Sequence, residues 1–307
     1  MSRKLRIQYP GAIYHVMNRG DHSEPVFRDE GDSGLFVATL AEACGKADWQ
    51  VHSFCLMSNH FHLVVETPRA NLVAGMKWLL GTYTIRFNRK HKLFGHLFSG
   101  RYKALPVDGS NSGYLKSACD YVHLNPVRAH LVASDQGLQS YSWSSYPMYL
   151  RSPAQRPVWL RVDRLLGEWG IPTDSAAGRE QFAVRMEARR RSEEAGPGET
   201  LPAGWCLGSE AFREELIQQM SVLTGCHYGG PEWKESGEKK AERLLAQELG
   251  RRGLGQEDLP RRRKGDREKL EMAKRLRAET TATWAWIAQR LSMGAPGYAA
   301  NCLRQQK

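Results

Sequence analysis

Residues 49–66 read WQVHSFCLMSNHFHLVVE, and this stretch decides the fold. Two β-prone runs, residues 49–57 and 60–66, flank the pair Ser58-Asn59, which can turn the chain. The pattern predicts a β-hairpin. On its second strand, His60 and His62 are two residues apart, so both imidazoles face one side of the sheet while Phe61 faces the other.

Two histidines on the same side of a strand can bind one divalent cation. The pattern is weak by itself, because a chain with 10 His among 307 residues has about 0.3 such pairs by chance. The alternative is a polar strand face with solvated or hydrogen-bonded histidines. The choice between the two interpretations depends on the rest of the chain.

The neighbouring segments extend the hairpin into a larger pattern. Residues 12–20 are apolar and β-prone, residues 30–48 carry one apolar helical face, and residues 72–90 form a longer amphipathic helix. A short basic strand, residues 101–107, is followed by a helix from about residue 112. The order strand, helix, strand, strand, helix, strand, helix predicts an α+β fold, a ferredoxin-like or RRM-like sandwich with an added helix.

The added helix carries YVHLNPVRA, in which Tyr121 and Asn125 are four residues apart and share a face. A tyrosine can act as a covalent nucleophile when a metal or a base activates it. Alternatively, Tyr121 is a half-buried aromatic and Asn125 caps a new helix that begins at Pro126. Because proline disfavours α geometry at the preceding residue, we expect the helix to end at Asn125. Tyr114 shares the face of Tyr121 and is a second candidate.

The chain is basic, with 44 Lys or Arg against 33 Asp or Glu, a net charge of +11. This favours a polyanionic partner over a merely solvated surface. Residues 237–307 hold 17 of the cations and 9 of the acids. Their last segments predict a helix, a tight turn and a helix, with Thr280 or Thr281 as a cap. If this unit is a helix-turn-helix, Tyr298 and Asn301 face a DNA groove and Arg304 lies near the backbone. Alternatively, it is a helical cap that touches no DNA.

The composition also sets expectations for organisation and location. We expect three regions: a first domain at residues 1–150 that holds the motifs above, a helical and linker region at 151–236, and a basic helix-turn-helix DNA-binding region at 237–307. Six cysteines without a CxxC pair are typical of reduced thiols in a cytoplasmic protein. The N-terminal residues lack the apolar core of a signal peptide, and no apolar run is long enough to span a membrane.

Together, YHVMNRG, MSNHFHLVVE, SGRYKALPV, YVHLNPVRA and YSWSSY occur in the order found in the one-tyrosine HUH transposases. The chain most resembles the REP-associated branch, which is related to the IS200-like elements, and the resemblance covers residues 1–150. It implies metal-dependent cleavage and strand transfer of single-stranded DNA at hairpins through a 5′-phosphotyrosine. It also implies Mg²⁺ or Mn²⁺ held by His60 and His62, Asn125 as a third ligand, and Tyr121 as the nucleophile. Relatives are monomers or homodimers.

Three cations near these motifs, Arg19, Arg101 and Lys103, are candidate phosphate contacts, and solvated surface charge is the alternative. Tyr102 is either a base-stacking residue or part of the core. For the whole protein, two rival functions stay open. One is a regulator that binds palindromic repeats without cleaving them, and the other is a nuclease that activates water.

Overall fold

In the computed structural model, the described residues are 6–110, 113–195, 204–223 and 232–304, without the side chains of 194–195, 220–223, 232–239 and 304. The first seven elements follow the predicted order. They are β1 (Ala12–Arg19), α1 (Glu30–Ala47), β2 (Gln50–Met57), β3 (His60–Thr67), α2 (Leu72–His91), β4 (Lys103–Val107) and α3 (Tyr114–Arg128).

The four strands form one antiparallel sheet in the order β2-β3-β1-β4. The two central strands, β1 and β3, come from different halves of the strand-helix-strand repeat, so the sheet depends on contacts that are distant in sequence. Within the predicted hairpin, Met57 pairs with His60 across the Ser58-Asn59 turn. The predicted α+β fold is confirmed, with a four-stranded antiparallel sheet.

The sheet has helices on both faces, and the side-chain alternation of β3 decides what each face holds. Phe61 is fully buried on the side of α1 and α2, with its ring 4.9 Å from Phe36 and 6.0 Å from Phe98. His60 and His62 therefore face the opposite side, against which α3 packs. One strand thus supplies both an apolar core residue and the polar face below α3.

The expectation that α3 ends at Asn125 is wrong, because the helix continues through Pro126 to Arg128. Proline has no N–H to donate to the preceding turn, but the helix continues past it, since Ala129 N donates to Asn125 O at 3.0 Å. Tyr121 therefore lies well inside the helix and not in its last turn. Two further turns support it from the C-terminal side.

The remaining secondary-structure elements of the described chain are helices. The helices are α4 (Tyr146–Tyr149), α5 (Asp163–Glu168), α6 (Ala176–Ala195), α7 (Glu210–Leu223), α8 (Glu232–Arg252), α9 (Asp258–Arg261), α10 (Arg267–Glu279), α11 (Trp284–Arg290) and α12 (Pro296–Arg304). None of the helices in the described ranges is long and apolar enough to cross a bilayer.

Two apolar cores hold most of these helices, and a small third cluster contains Leu216 of α7. The larger core joins the sheet and α1–α3 to α5 and α6, through residues such as Leu165 and Phe182. The second core, from Ala241 to Ala299, joins α8 to α12. A domain boundary at residue 150 stays a prediction, although side chains from both sides of it share the larger core.

The capping of α11 differs from the expectation. Thr283 is the N-cap, and its side chain accepts a hydrogen bond from Trp286 N. Thr280 instead donates its hydroxyl hydrogen to Leu276 O at 2.6 Å, which closes the preceding helix α10. Neither Thr280 nor Thr281 caps α11, because four residues, 280–283, separate the two helices and Thr283 is the one that directly precedes α11.

Candidate active site

His60 and His62 begin strand β3 and lie side by side, with ring centroids 5.2 Å apart. His60 is half-buried, whereas His62 is only 6% exposed. The strand places both rings on the face covered by α3, as the spacing predicts. His60 is therefore the more accessible of the two imidazoles.

The Nδ1 atom of each histidine has a partner. His60 Nδ1 lies 2.7 Å from Asn59 Oδ1, and His62 Nδ1 lies 3.0 Å from His15 Nε2. A hydrogen on each Nδ1 leaves the Nε2 atom with its lone pair for a cation. With this tautomer, both Nε2 atoms can act as metal ligands.

The surroundings keep both imidazoles neutral. Burial lowers the pKa of His60, and the nearby charge of Arg19 lowers it further. Burial also lowers the pKa of His62 well below its usual value, with smaller effects from His15, His60 and Arg128. Since only a neutral imidazole binds a metal, the donor set and its protonation fit a divalent cation.

Tyr121 is brought against this pair by the packing of α3 on the sheet. Its ring centroid lies 5.7 Å from that of His62 and 5.8 Å from that of His15, edge-on in both cases. Among the ring contacts of the described residues, His62 contacts Tyr121. Neither candidate ligand has a ring contact with Tyr114 in the described part of the chain. The geometry favours Tyr121 over Tyr114 as the reactive tyrosine.

Asn125 lies one turn after Tyr121 and is 8% exposed. Its Nδ2 atom donates to Tyr121 O at 3.0 Å, so the oxygen of the carboxamide is the atom left for a cation. That orientation is compatible with a third ligand. The role of Asn125 as a ligand stays a prediction.

A different group of potential ligands, Asp29, Asp32 and His91, lies where α1 begins and α2 ends. Lys90 Nζ lies within 2.7 Å of both carboxylates, and Arg28 N donates to Asp32. A bound ammonium already supplies positive charge there. This group is an ion-pair network that joins two helices, and it is separate from the histidine pair.

Two of the three predicted phosphate contacts lie on the same sheet face as the histidines. Arg19 is exposed and lies opposite His60 on the neighbouring strand. Lys103 is exposed and lies opposite Met17, which in turn lies opposite His62. Arg101 is exposed just before β4. Their role in binding phosphate stays a prediction. Tyr102 belongs to the core, since it is 7% exposed and lies under the Arg6 guanidinium.

The predicted DNA-binding residues of the C-terminal unit lie on α12. Tyr298 is 47% exposed and Asn301 is also exposed, whereas the side chain of Arg304 lies outside the described residues. Helices α11 and α12 are separated by a five-residue turn in which Gly294 has a φ of +83°. This helix, tight turn and helix match the predicted elements.

His15 is the residue that the sequence interpretation missed. It is fully buried on β1, and its Nε2 atom lies against His62. His15 and Arg19 are four residues apart on β1, so they lie on the same, polar face of the strand. This position indicates a contact with the site only once β1 is known to pair with β3. Register between strands that are about 45 residues apart is not evident from the chain alone.

Part of this chain is similar to known proteins. Residues 8–125 match the sequence profile of the family described as "Transposase IS200 like". A solved structure described as a REP-associated tyrosine transposase bound to a REP hairpin is 12% identical, with a TM-score of 0.41; the alignment covers 53% of this chain and 93% of that chain. No curated protein matches. Residues 8–125, which carry both histidines, Tyr121 and Asn125, are therefore similar to the IS200-like transposases.

Proposed function

We propose that this protein cleaves and rejoins single-stranded DNA at hairpin sequences, with Tyr121 as the nucleophile and His60 and His62 as metal ligands. The observation that carries the proposal is the position of Tyr121, whose ring lies 5.7 Å from that of His62 although the two are 59 positions apart in the chain. A tyrosine beside two neutral imidazoles is suited to covalent phosphoryl transfer.

His60, His62 and Asn125 would hold Mg²⁺ or Mn²⁺. Such an ion, when bound, offsets negative charge on the scissile phosphate. The Tyr121 Oη atom forms a bond to phosphorus while the bond to the 3′ oxygen breaks. The phenol loses its proton, and the leaving oxygen gains one to become a 3′-OH. The 5′-phosphotyrosine conserves the energy of the broken phosphodiester bond. A second 3′-OH can therefore attack its phosphorus, release the tyrosine and join new ends.

The DNA itself requires a basic surface beside the site. Arg19 and Lys103 share the sheet face of the histidines, and Arg101 lies two residues before β4. We infer that these three cations bind the backbone on both sides of the scissile phosphate. We place the protein in the REP-associated branch on the motifs that the sequence carries, and we assign it a hairpin made from palindromic repeats.

A labelled single-stranded hairpin with a flanking sequence, incubated with Mn²⁺, should give a protein–DNA adduct that survives denaturation. Tyr121→Phe should lose the adduct and keep hairpin affinity within about twofold, because only the nucleophile is removed. Tyr114→Phe, on the same helix, is the matched control and should form the adduct normally.

The rival functions give different results. Cleavage by Tyr121→Phe would show that water is the nucleophile. Tight hairpin binding without an adduct, across a panel of hairpins and flanks, would identify a regulator that does not cleave. Either result would overturn the proposed chemistry.

We also propose that the C-terminal unit binds duplex DNA next to the hairpin. The supporting observation is a basic loop, residues 262–266, that lies beside α12. A Cβ built on Gly294 would be 3.2 Å from Lys264 Cδ, and one on Gly265 would be 3.0 Å from Tyr298 Oη. Buried Lys269 donates to Arg262 O and Ser292 O, both at 3.1 Å, and so ties the loop to the turn before α12. In this proposal, Tyr298, Asn301 and Arg304 contact the DNA.

A further inference from the structure

Arg128 contacts the candidate nucleophile in two ways. It is the last residue of α3, seven positions after Tyr121, so the two lie on one face two turns apart. Its Cζ atom lies 4.6 Å from the centroid of the Tyr121 ring, and its Nη1 atom donates to Tyr121 O at 3.1 Å. The guanidinium therefore covers one face of the ring and also holds its backbone.

Glu193, on α6, fixes the position of this guanidinium. Arg128 Nε donates to Glu193 Oε2 at 2.9 Å, and Nη2 donates to Oε1 at 2.5 Å. This two-pronged geometry restricts the orientation of an arginine more than a single contact does. The Glu193 side chain is only 5% exposed and that of Arg128 is 20% exposed. The pair is thus shielded from water, and its geometry is well defined.

A second contact between the same helices lies on the other side of the tyrosine. Asp120, which precedes Tyr121, is 1% exposed and accepts from Arg189 Nη1 at 3.1 Å. Trp169 Nε1 also donates to Asp120, at 3.1 Å. Helix α6 therefore holds α3 both immediately before Tyr121 and two turns after it.

The sequence of α3 explains why this support is needed. Pro126 removes one backbone hydrogen bond from the helix, just after the turn that holds Tyr121. The side chains of Asn125 and Arg128 both donate to Tyr121 O, close to the point where the backbone is weakened. A local helix that lacks one hydrogen bond gains its order from tertiary contacts.

We propose that α6 is part of the strand-transfer machinery: Glu193 orients Arg128, and Arg128 sets the ring of Tyr121 against the histidine pair of the same chain. Both are positioning residues. This assigns a role to a helix that lies beyond residues 8–125, the segment that matches the transposase family. The inference rests on the proposed function, because it concerns the nucleophile of that reaction.

The test uses the full chain with Mn²⁺ and a cleavable hairpin at saturating concentration. Glu193→Gln should slow single-turnover adduct formation by about 100-fold, since a small misplacement of a reacting group has effects of that size. Hairpin affinity should stay within about threefold, because the change acts on the chemical step. Arg179→Gln, which breaks the Arg179–Asp174 ion pair at the other end of α6, is the matched control and should leave the rate unchanged.

A reversed pair separates positioning from folding. The double variant Arg128→Glu with Glu193→Arg should recover the melting temperature lost by Glu193→Gln, but not the rate, because no cation covers the tyrosine ring. Recovery of the rate together with stability would overturn the proposal. So would a wild-type rate in Glu193→Gln.

A spectroscopic readout keeps this inference distinct from the proposed chemistry. In protein labelled with ¹³C-tyrosine, the ring signal of Tyr121, assigned with Tyr121→Phe, should shift in Glu193→Gln and stay in place in Arg179→Gln. If the wild type forms no adduct, the proposed function fails, and the NMR signal alone decides the positioning. A signal that does not move in Glu193→Gln would show that Glu193 does not position the ring.

Discussion

At the scale of single residues, the candidate metal site depends on a histidine that is not a candidate ligand. His15 is fully buried, and burial lowers its pKa to about 4, so it is neutral near pH 7. Its Nε2 atom can accept the Nδ1 hydrogen of His62 at 3.0 Å, which leaves His62 Nε2 for the cation. Partners of this kind orient metal ligands and fix their tautomer.

Replacing His15 should therefore weaken metal binding without removing a ligand. His15→Leu removes the acceptor and should lower Mn²⁺ affinity by about 10- to 100-fold, measured by titration calorimetry without DNA. His15→Gln keeps an acceptor oxygen and should retain most of the affinity. His52→Gln, at a buried histidine that pairs with Glu66, is the control. An unchanged affinity in His15→Leu would rule out this role.

At the scale of elements, the hairpin β2–β3 and the helix α3 differ in how well the local sequence pattern predicts them. The hairpin β2–β3 and its histidines are evident from alternation and a two-residue turn. The limits of α3 are not, because the rule that proline ends a helix was overridden by tertiary contacts from Asp120 and Arg128 to α6. Local propensity is a weak guide where a neighbouring helix supplies the stabilising contacts.

The loop beside α12 allows a prediction for the C-terminal unit. Lys264→Gln should weaken binding to a mixed-sequence DNA duplex and lower the slope of log affinity against log salt by about 1, because one phosphate contact is lost. Lys274→Gln removes the same charge from an exposed position on α10 and is the control. Fluorescence anisotropy across a salt series measures both. Equal effects of the two variants would show that net charge, and not this face, attracts the duplex.

At the scale of the whole molecule, buried histidines make folding sensitive to acid. His123 is fully buried on α3, and burial lowers its pKa to about 3; its Nε2 atom lies 2.8 Å from Ser145 Oγ. Burial also lowers the pKa of His15, to about 4. Below pH 6.5, the usual histidine value, the unfolded chain binds protons that the folded chain does not, so stability falls as pH decreases.

The free energy of unfolding should be insensitive to these histidines above about pH 7.5, where they are neutral in the unfolded chain as well. Between about pH 6 and pH 4 it should fall by about 1 kcal/mol per pH unit for each of the two. Urea denaturation at a series of pH values measures this free energy of unfolding. His123→Gln should flatten the slope, and His22→Gln, at an exposed position, should leave it unchanged. A constant stability from pH 7 to pH 5 would contradict the assignment of neutral buried histidines.

By itself, the sequence determined the order of the strands and helices, the common face of His60 and His62, and the pairing of Tyr121 with Asn125 along one helix. These follow from periods of two and 3.6 residues, which are local properties of the backbone. Only the tertiary structure decided that His15 supports His62, that Tyr102 is buried, and that Glu193 holds Arg128 against Tyr121. Each of these contacts joins residues at least 45 positions apart, or depends on how the sheet face is covered, and no local pattern encodes the register and packing that bring them together.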